Sequence, residues 1–145
     1  SDEEVDVVAA IVDDLLVPGV SWRDQKAERP LTAQDILVVA PYNAHVARLD
    51  EQLRGRGIRV GTVDRFQGQE APVVIYAMAT SRPEDAPRGM EFLYSRNRLN
   101  VATSRAKGLV IVVASPRLFE PECRTPRQMQ LANALCRLRE LAATV

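Results

Sequence analysis

The chain has 145 residues, of which 46% are hydrophobic and 26% charged, values typical of a globular domain rather than a disordered chain. No apolar run approaches the roughly 18 residues that cross a bilayer and nothing at the start resembles a signal peptide, so we expect a cytoplasmic protein without a membrane partner. The formal net charge of +0 argues against a free-standing nucleic-acid binder, which usually carries a basic excess.

The pattern along the chain predicts a single α/β domain. Residues 1–17 predict a helix, because apolar side chains recur on one face and Ser1 and Glu4 stand in capping-box spacing. Residues 18–35 predict a polar connection that leads into a core over 36–142. There, short apolar runs alternate with helical patterns, which indicates a mostly parallel sheet flanked by helices. We expect strands at 36–40, 58–63, 73–79 and 109–114, and helices at 43–56, 90–106 and 128–141.

Ligand sites in such sheets lie beyond the carboxyl ends of the strands, so we expect the functional residues there. The first candidate segment is 40–45, in which Asn43 is a predicted helix N-cap. An ordinary strand-to-helix turn accounts for this segment as well. His45 is the only histidine and has no second ligand or triad partner in the sequence, which favours a surface or packing role.

The second candidate segment, 61–70, places many polar residues between two apolar strands. Gly68 permits close approach of a phosphate to the backbone, Thr62 and Gln67 can donate to a nucleic-acid backbone, and Glu70 can accept from a sugar hydroxyl. A plain polar loop is the alternative for this segment.

The third candidate segment is 98–108, which lies before the last strand and is helical in its first part. Arg98 and Arg105 stand seven residues apart in it and therefore share a helix face. Solvated surface arginines are one interpretation of this pair. Stabilisation of the charge that develops in phosphoryl transfer is the other.

In this order and spacing, the three segments resemble motifs IV, V and VI of superfamily 1 helicases. The matching phrases are VAPYN at 39–43, TVDRFQGQE at 62–70 and LNVATSRAK at 99–107. The second phrase is similar to the 5′-to-3′ branch, of the AAA_12 type. Residues 119–138 are similar to bacterial proteins that fuse a RecB-like nuclease to this kind of helicase. The resemblance implies a three-layer RecA-like fold and places the chain as the second, C-terminal RecA-like domain.

The resemblance also implies roles for single residues. Arg105 is the expected catalytic arginine finger, which reaches the γ-phosphate of ATP, while Gly68 and Glu70 contact the nucleotide. The expected contacts with single-stranded nucleic acid, DNA in preference to RNA, are Asn43, Thr62 and Gln67.

Other positions carry weaker implications. Asp64 and Asn100 are expected to brace the motif loops by hydrogen bonds. The family often has Gln where this chain has His45, which weakens any nucleic-acid role there. Cys123 and Cys136 lack metal-ligand spacing, which favours reduced thiols over a zinc site.

The phosphate-loop pattern GxxxxGK[ST] does not occur in the sequence, and no acidic pair follows a strand in the manner of a magnesium site. We therefore expect the N-terminal RecA-like domain of the same polypeptide to hold most of ATP and Mg²⁺, and this chain to be inactive alone. A non-catalytic α/β module that binds a nucleotide or a protein is the alternative function.

Overall fold

In the computed structural model, the described residues are 2–66, 68–79, 89, 94–120 and 123–143, and the side chains of residues 96, 97 and 134 are not described. The helices are α1 (Asp2–Leu15), α2 (Asn43–Gln52), α3 (Arg96–Ser104) and α4 (Pro126–Leu141). The strands are β1 (Ser21–Arg23), β2 (Glu28–Pro30), β3 (Ile36–Val39), β4 (Arg59–Gly61), β5 (Ala71–Ala77) and β6 (Ala106–Val113).

Four strands form one parallel sheet in the order β4-β3-β5-β6. Every residue of β3 and of β5 is buried. This explains why both strands are continuous apolar runs, since a central parallel strand is covered on both faces. Strand register aligns Val39 with Gly61 on one side and with Tyr76 on the other.

Helices cover both faces of this sheet. Side chains alternate along β3, so that Ile36 and Val38 face the layer of α1 and α2, while Leu37 and Val39 face the layer of α3 and α4. On the α1 side, Val8 and Val12 are 0% exposed. The predicted α/β architecture, a mostly parallel sheet between two helical layers, is confirmed.

The predicted polar connection over 18–35 was incomplete, because it contains an antiparallel hairpin of β1 and β2 that pairs Trp22 with Arg29. Its strands are three residues long and mostly exposed, and such strands carry no hydrophobic alternation to recognise.

Some predicted boundaries also differ. Helix α2 ends at Gln52 rather than at residue 56, and its N-cap is Tyr42, without a side-chain capping bond. Asn43 is therefore the first helical residue and not the predicted N-cap. Strand β6 begins three residues earlier than predicted. Ser1, part of the predicted capping box, lies outside the described residues. Among the described helices, none has the length and apolar character needed to cross a membrane.

Candidate functional site

The predicted site residues divide between the two opposite edges of the sheet. Asn43 and Thr62 come after the carboxyl ends of β3 and β4, whereas Glu70 and Arg105 come just before the amino ends of β5 and β6. Because the strands are parallel, like ends share an edge. Strand β5 has seven residues, so at about 3.3 Å per residue the two edges lie roughly 20 Å apart.

At the carboxyl edge, the chain leaves β3 and β4 side by side. The amide of Ala40 donates a hydrogen bond to the carbonyl oxygen of Gly61 at 3.1 Å. Asn43 is exposed at the first position of α2, and Thr62 is half-buried directly after β4. The structure therefore brings these two predicted residues to one edge, on neighbouring strands.

Behind this edge, His45 is a packing residue. It is 5% exposed, and its Nε2 lies 3.8 Å from Oε1 of Glu4, which is itself 7% exposed. Oε1 of Glu4 also accepts a hydrogen bond from the amide of Ala79 at 2.8 Å, which ties α1 to the end of β5. Burial raises the pKa of Glu4 to about 6 and lowers the pKa of His45 to about 4.

The loop from Thr62 to Glu70 folds back over the end of β4. A Cβ added at Gly61 would lie 2.7 Å from Cδ of Arg65 and 2.9 Å from Cε2 of Phe66, so the close approach requires glycine. Phe66 is 5% exposed and anchors the loop in the core on the side of α3 and α4.

The other described residues of this loop, from Asp64 to Glu70, are mostly exposed. Gly68 is exposed with φ of +83°, the left-handed conformation that glycine adopts without strain. Gln67, a predicted nucleic-acid contact, lies outside the described residues. Asp64 is exposed, as is Asn100 on α3, and the predicted bracing hydrogen bonds of their side chains are not found within the part of the chain that the structure describes.

At the amino edge, a main-chain hydrogen bond joins the starts of two strands. The amide of Ala71 donates to the carbonyl oxygen of Arg105 at 2.9 Å, and strand register pairs Ala71 with Ala106. Glu70 and Arg105 therefore leave the sheet side by side. Glu70 is exposed and Arg105 half-buried, and within the described residues Nε of Arg105 has no hydrogen-bond partner. These two predicted site residues therefore lie at the amino ends of their strands and not at the carboxyl ends, where we expect ligand sites.

Arg59, the first residue of β4, is an amino-edge residue that sequence reasoning missed. Its Nη1 donates to Oε1 of Gln69 at 3.2 Å, and its Nη2 donates to the carbonyl oxygen of Gln34 at 2.7 Å. Arg59 therefore links Gln69, the residue before Glu70, to Gln34 in the segment that leads into β3. No sequence signal identifies this role, since Arg59 resembles any polar residue at the start of a strand.

Helix α3 leads directly into Arg105, which is its C-cap residue. Ser95 caps the helix, with its Oγ accepting from the amide of Arg98 at 3.3 Å. Burial raises the pKa of Tyr76, and the charge of Arg98 acts in the opposite direction. Arg98 is half-buried on this helix.

Among the described residues, no group of three or more His, Cys, Asp or Glu side chains could hold a metal ion. Cys123 and Cys136 are half-buried and do not form a disulfide with each other. The Sγ of Cys136 donates to the carbonyl oxygen of Phe119 at 3.3 Å.

The parallel sheet between two helical layers, with polar segments at both edges, defines a RecA-like α/β domain. Comparison with known proteins agrees with this class. The family model described as "AAA domain" matches residues 1–117. The chain belongs to this family, the AAA_12 type of superfamily 1 helicase domain.

Individual relatives are helicases. The chain is 35% identical over 113 residues to an uncharacterised ATP-dependent helicase of Caenorhabditis elegans, covering 78% of this chain and 6% of that protein. It is 41% identical over 88 residues to the DNA polymerase alpha-associated DNA helicase A of Schizosaccharomyces pombe, covering 59% and 13%. It is 38% identical over 95 residues to the human RNA helicase Mov10l1, covering 61% and 8%. The chain thus spans only a small part of these relatives.

Proposed function

We propose that this chain is the C-terminal motor domain of an ATP-dependent superfamily 1 helicase. The observation that carries the proposal is the main-chain hydrogen bond from Ala71 to Arg105, because it brings Glu70 and Arg105, whose buried Nε has no partner among the described residues, to the same edge. The opposite edge presents Asn43 and Thr62. In this proposal the amino edge serves the nucleotide and the carboxyl edge serves the nucleic-acid strand.

Arg105 acts as the arginine finger at the amino edge. Phosphoryl transfer spreads negative charge over the oxygens of the transferred group, and a guanidinium group from a neighbouring domain stabilises that charge. Nε of Arg105 is buried without a partner among the described residues, so the side chain keeps donors for such an anion. An unpaired buried donor is costly, which favours a partner that arrives on binding.

Glu70 and Gly68, in the loop that precedes β5, also contact the nucleotide. The Glu70 carboxylate is exposed and accepts hydrogen bonds from the ribose hydroxyl groups. The left-handed backbone of Gly68 leaves open space beside it, so a phosphate oxygen approaches the main chain there.

Asn43, Thr62 and Gln67 bind phosphodiester groups of a single strand, through amide and hydroxyl donors. DNA is the proposed strand. Two relatives whose names include DNA support this choice. One is the S. pombe DNA helicase. The other is a DNA replication ATP-dependent helicase/nuclease of Arabidopsis thaliana, which is 27% identical over 130 residues and matches 90% of this chain. The latter also supports a nuclease in the same polypeptide.

ATP, when bound with Mg²⁺, supplies the phosphoanhydride bond whose hydrolysis drives translocation. The N-terminal RecA-like domain of the polypeptide holds most of the nucleotide and the metal, which agrees with the lack of a phosphate-loop pattern in this sequence. The C-terminal domain formed by this chain closes on the bound nucleotide, which brings Arg105 to it, and opens after hydrolysis. Asn43 and Thr62 thereby shift along the nucleic-acid strand. We place the protein in the cytoplasm.

The test is the variant Arg105→Ala in the whole helicase, with steady-state ATP turnover as the measurement. Loss of an arginine finger lowers turnover by roughly 10³- to 10⁵-fold, while ATP binding persists. The matched control is Arg54→Ala, because Arg54 is exposed and no described residue pairs with its side chain. Normal turnover of Arg105→Ala would refute the proposal and favour a non-catalytic nucleotide- or protein-binding module.

A further inference from the structure

The β1–β2 hairpin packs directly against the start of β6, the strand that follows Arg105. A Cβ added at Gly108 would overlap the Trp22 ring and would lie 2.7 Å from its Cη2. The indole of Trp22 therefore rests on the main chain of Gly108, three residues after Arg105. The contact is possible only because residue 108 has no side chain.

The stretch of β6 under the indole is irregular. Strand β5 pairs Ala71 with Ala106 and Val73 with Leu109, so β6 carries one extra residue over this interval. This is a β-bulge at Lys107 and Gly108. A bulge redirects the chain, and bulges next to active sites re-aim a side chain. The bulge follows Arg105 and Ala106 immediately, so its shape sets the direction in which Arg105 leaves the edge.

The hairpin is itself held rigidly. Arg29 forms a bidentate ion pair with Asp35, at 2.7 Å and 2.6 Å, which ties β2 to the segment that enters β3. In the turn, Oδ1 of Asp24 accepts from the amides of Lys26 and Ala27 at 2.7 Å and 2.8 Å. These contacts stiffen both ends of the hairpin.

Charge attraction also links the hairpin turn to the bulge. Hydrogen bonds from the turn amides lower the pKa of Asp24, and the charges of Arg29 and Lys107 act in the same direction. The hairpin thus contacts Gly108 through the Trp22 ring, and the Asp24 carboxylate and Lys107 attract each other without forming an ion pair.

We propose that the hairpin is a positioning element for the catalytic arginine, in which Trp22, seated on Gly108, fixes the bulge that orients Arg105. This inference rests on the proposed function. It makes Trp22 a positioning residue that contacts neither nucleotide nor nucleic acid. The structural consequence is that removal of the indole leaves the domain folded but lets the start of β6 move.

The kinetic test uses Trp22→Ala, Trp22→Phe and, as matched control, Lys26→Ala at the exposed hairpin turn of the whole helicase. A displacement of about 1 Å at a catalytic group costs roughly 10²-fold. We expect Trp22→Ala to lower kcat by 10- to 100-fold with little change in the KM for ATP, because the charge that Arg105 stabilises develops mainly in the transition state. Phenylalanine keeps an aromatic ring on Gly108 and restores kcat to within about 3-fold of wild type.

A double-mutant cycle shows whether Trp22 acts through Arg105. In the Arg105→Ala background, Trp22→Ala is expected to change kcat by less than about 2-fold. A full additional loss in that background would overturn the positioning role, as would a Trp22→Ala enzyme that matches Lys26→Ala. Normal turnover of Arg105→Ala would instead overturn the proposed function and the positioning role together.

Fluorescence of the 145-residue chain gives a measurement that needs no activity, since Trp22 is its single tryptophan. Gly108→Ala puts a methyl group where the indole sits. We expect its emission to shift to longer wavelength and acrylamide quenching to increase, with the circular dichroism of the fold retained. Unchanged quenching in Gly108→Ala would show that Trp22 does not rest on Gly108 and would overturn the inference.

Discussion

Ala71 and Arg105 are joined by a main-chain hydrogen bond of 2.9 Å between the amide of the first and the carbonyl oxygen of the second. The bond lies at the amino edge of the sheet. Glu70, which precedes Ala71, and Arg105 therefore lie next to each other at this edge. Thr62, which opens the same loop that ends at Glu70, lies at the opposite edge. One loop thus reaches both edges, and in the proposed function it connects the nucleotide site with the strand site.

Glu70→Ala tests the nucleotide role of the exposed carboxylate. Hydrogen bonds to charged groups are worth about 1.5–3 kcal/mol, so ATP affinity is expected to fall by about 10-fold or more. The loss should nearly vanish with 2′,3′-dideoxy-ATP, which has no ribose hydroxyl groups to donate. Titration calorimetry of the whole helicase measures both affinities. Glu51→Ala, on an exposed position of α2, is the control, and an equal loss with both nucleotides would contradict the ribose contact.

Arg59→Ala tests the anchor of the amino edge. The variant removes two hydrogen bonds and leaves their acceptors, Oε1 of Gln69 and the carbonyl oxygen of Gln34, without this donor. We expect the free energy of unfolding to fall by about 1–3 kcal/mol in urea denaturation. Arg54→Ala, an exposed arginine, should change it by less than about 0.5 kcal/mol. Equal stability of the two variants would argue against the anchor.

Gly61→Ala tests the close packing at the start of the loop. The new methyl group meets Arg65 at 2.7 Å and Phe66 at 2.9 Å, so overpacking should cost about 1–3 kcal/mol. Gly55→Ala is a useful comparison, because Gly55 has open space around it and only its φ of +85° resists a side chain. That backbone penalty is about 1–2 kcal/mol. If Gly61→Ala unfolds at the same urea concentration as wild type, Arg65 and Phe66 do not pack on Gly61.

The buried His45 predicts how stability depends on pH. Its pKa is lowered from 6.5 to about 4, so the unfolded chain binds a proton before the folded chain does. The contribution of neutral His45 to the free energy of unfolding is therefore fully present above pH 6.5 and is lost as the pH falls toward 4. Between pH 7 and pH 5, wild type should lose about 1–2 kcal/mol more than His45→Gln, measured by urea unfolding at both values.

Glu4 supplies the internal control for this experiment. The pKa of Glu4 is raised from 4.5 to about 6. Its contribution to the stability of the fold is therefore fully present below pH 4.5 and is lost as the pH rises through 6. Glu4→Gln removes that opposing contribution, and its stability should fall more steeply than that of wild type as the pH drops. Parallel pH profiles for wild type and His45→Gln would show that His45 titrates normally.

Local sequence patterns predicted the parts of the fold that depend on burial. Strand β5 is a continuous apolar run because neighbours cover both of its faces, and helix α1 shows the 3.6-residue period of a helix with one buried face. The β1–β2 hairpin was not predictable in this way. Hydrogen bonds and the Trp22–Gly108 contact hold it, and its short strands bury little.

The candidate site was predicted residue by residue but not in its arrangement. That Glu70 and Arg105 lie side by side depends on the register of Ala71 with Ala106, a pairing of residues far apart in sequence. The rule that places ligands at carboxyl ends describes the positions of Asn43 and Thr62 only. The grouping of Glu70 with Arg105 at the amino edge can be recognised only when the strand register is known.

The most direct test of the central claim is a paired measurement on two variants of the whole helicase, Arg105→Ala and the double variant Asn43→Ala with Thr62→Ala. Oligonucleotide affinity is measured by fluorescence anisotropy, and ATP turnover is measured without nucleic acid. We expect Arg105→Ala to lose turnover and keep strand affinity within about 2-fold. The double variant should bind the strand about 10-fold more weakly and keep its strand-free turnover, since two hydrogen bonds of about 1 kcal/mol each are lost. The reverse pattern, or a common loss of both activities in both variants, would contradict the assignment of the two edges to nucleotide and strand.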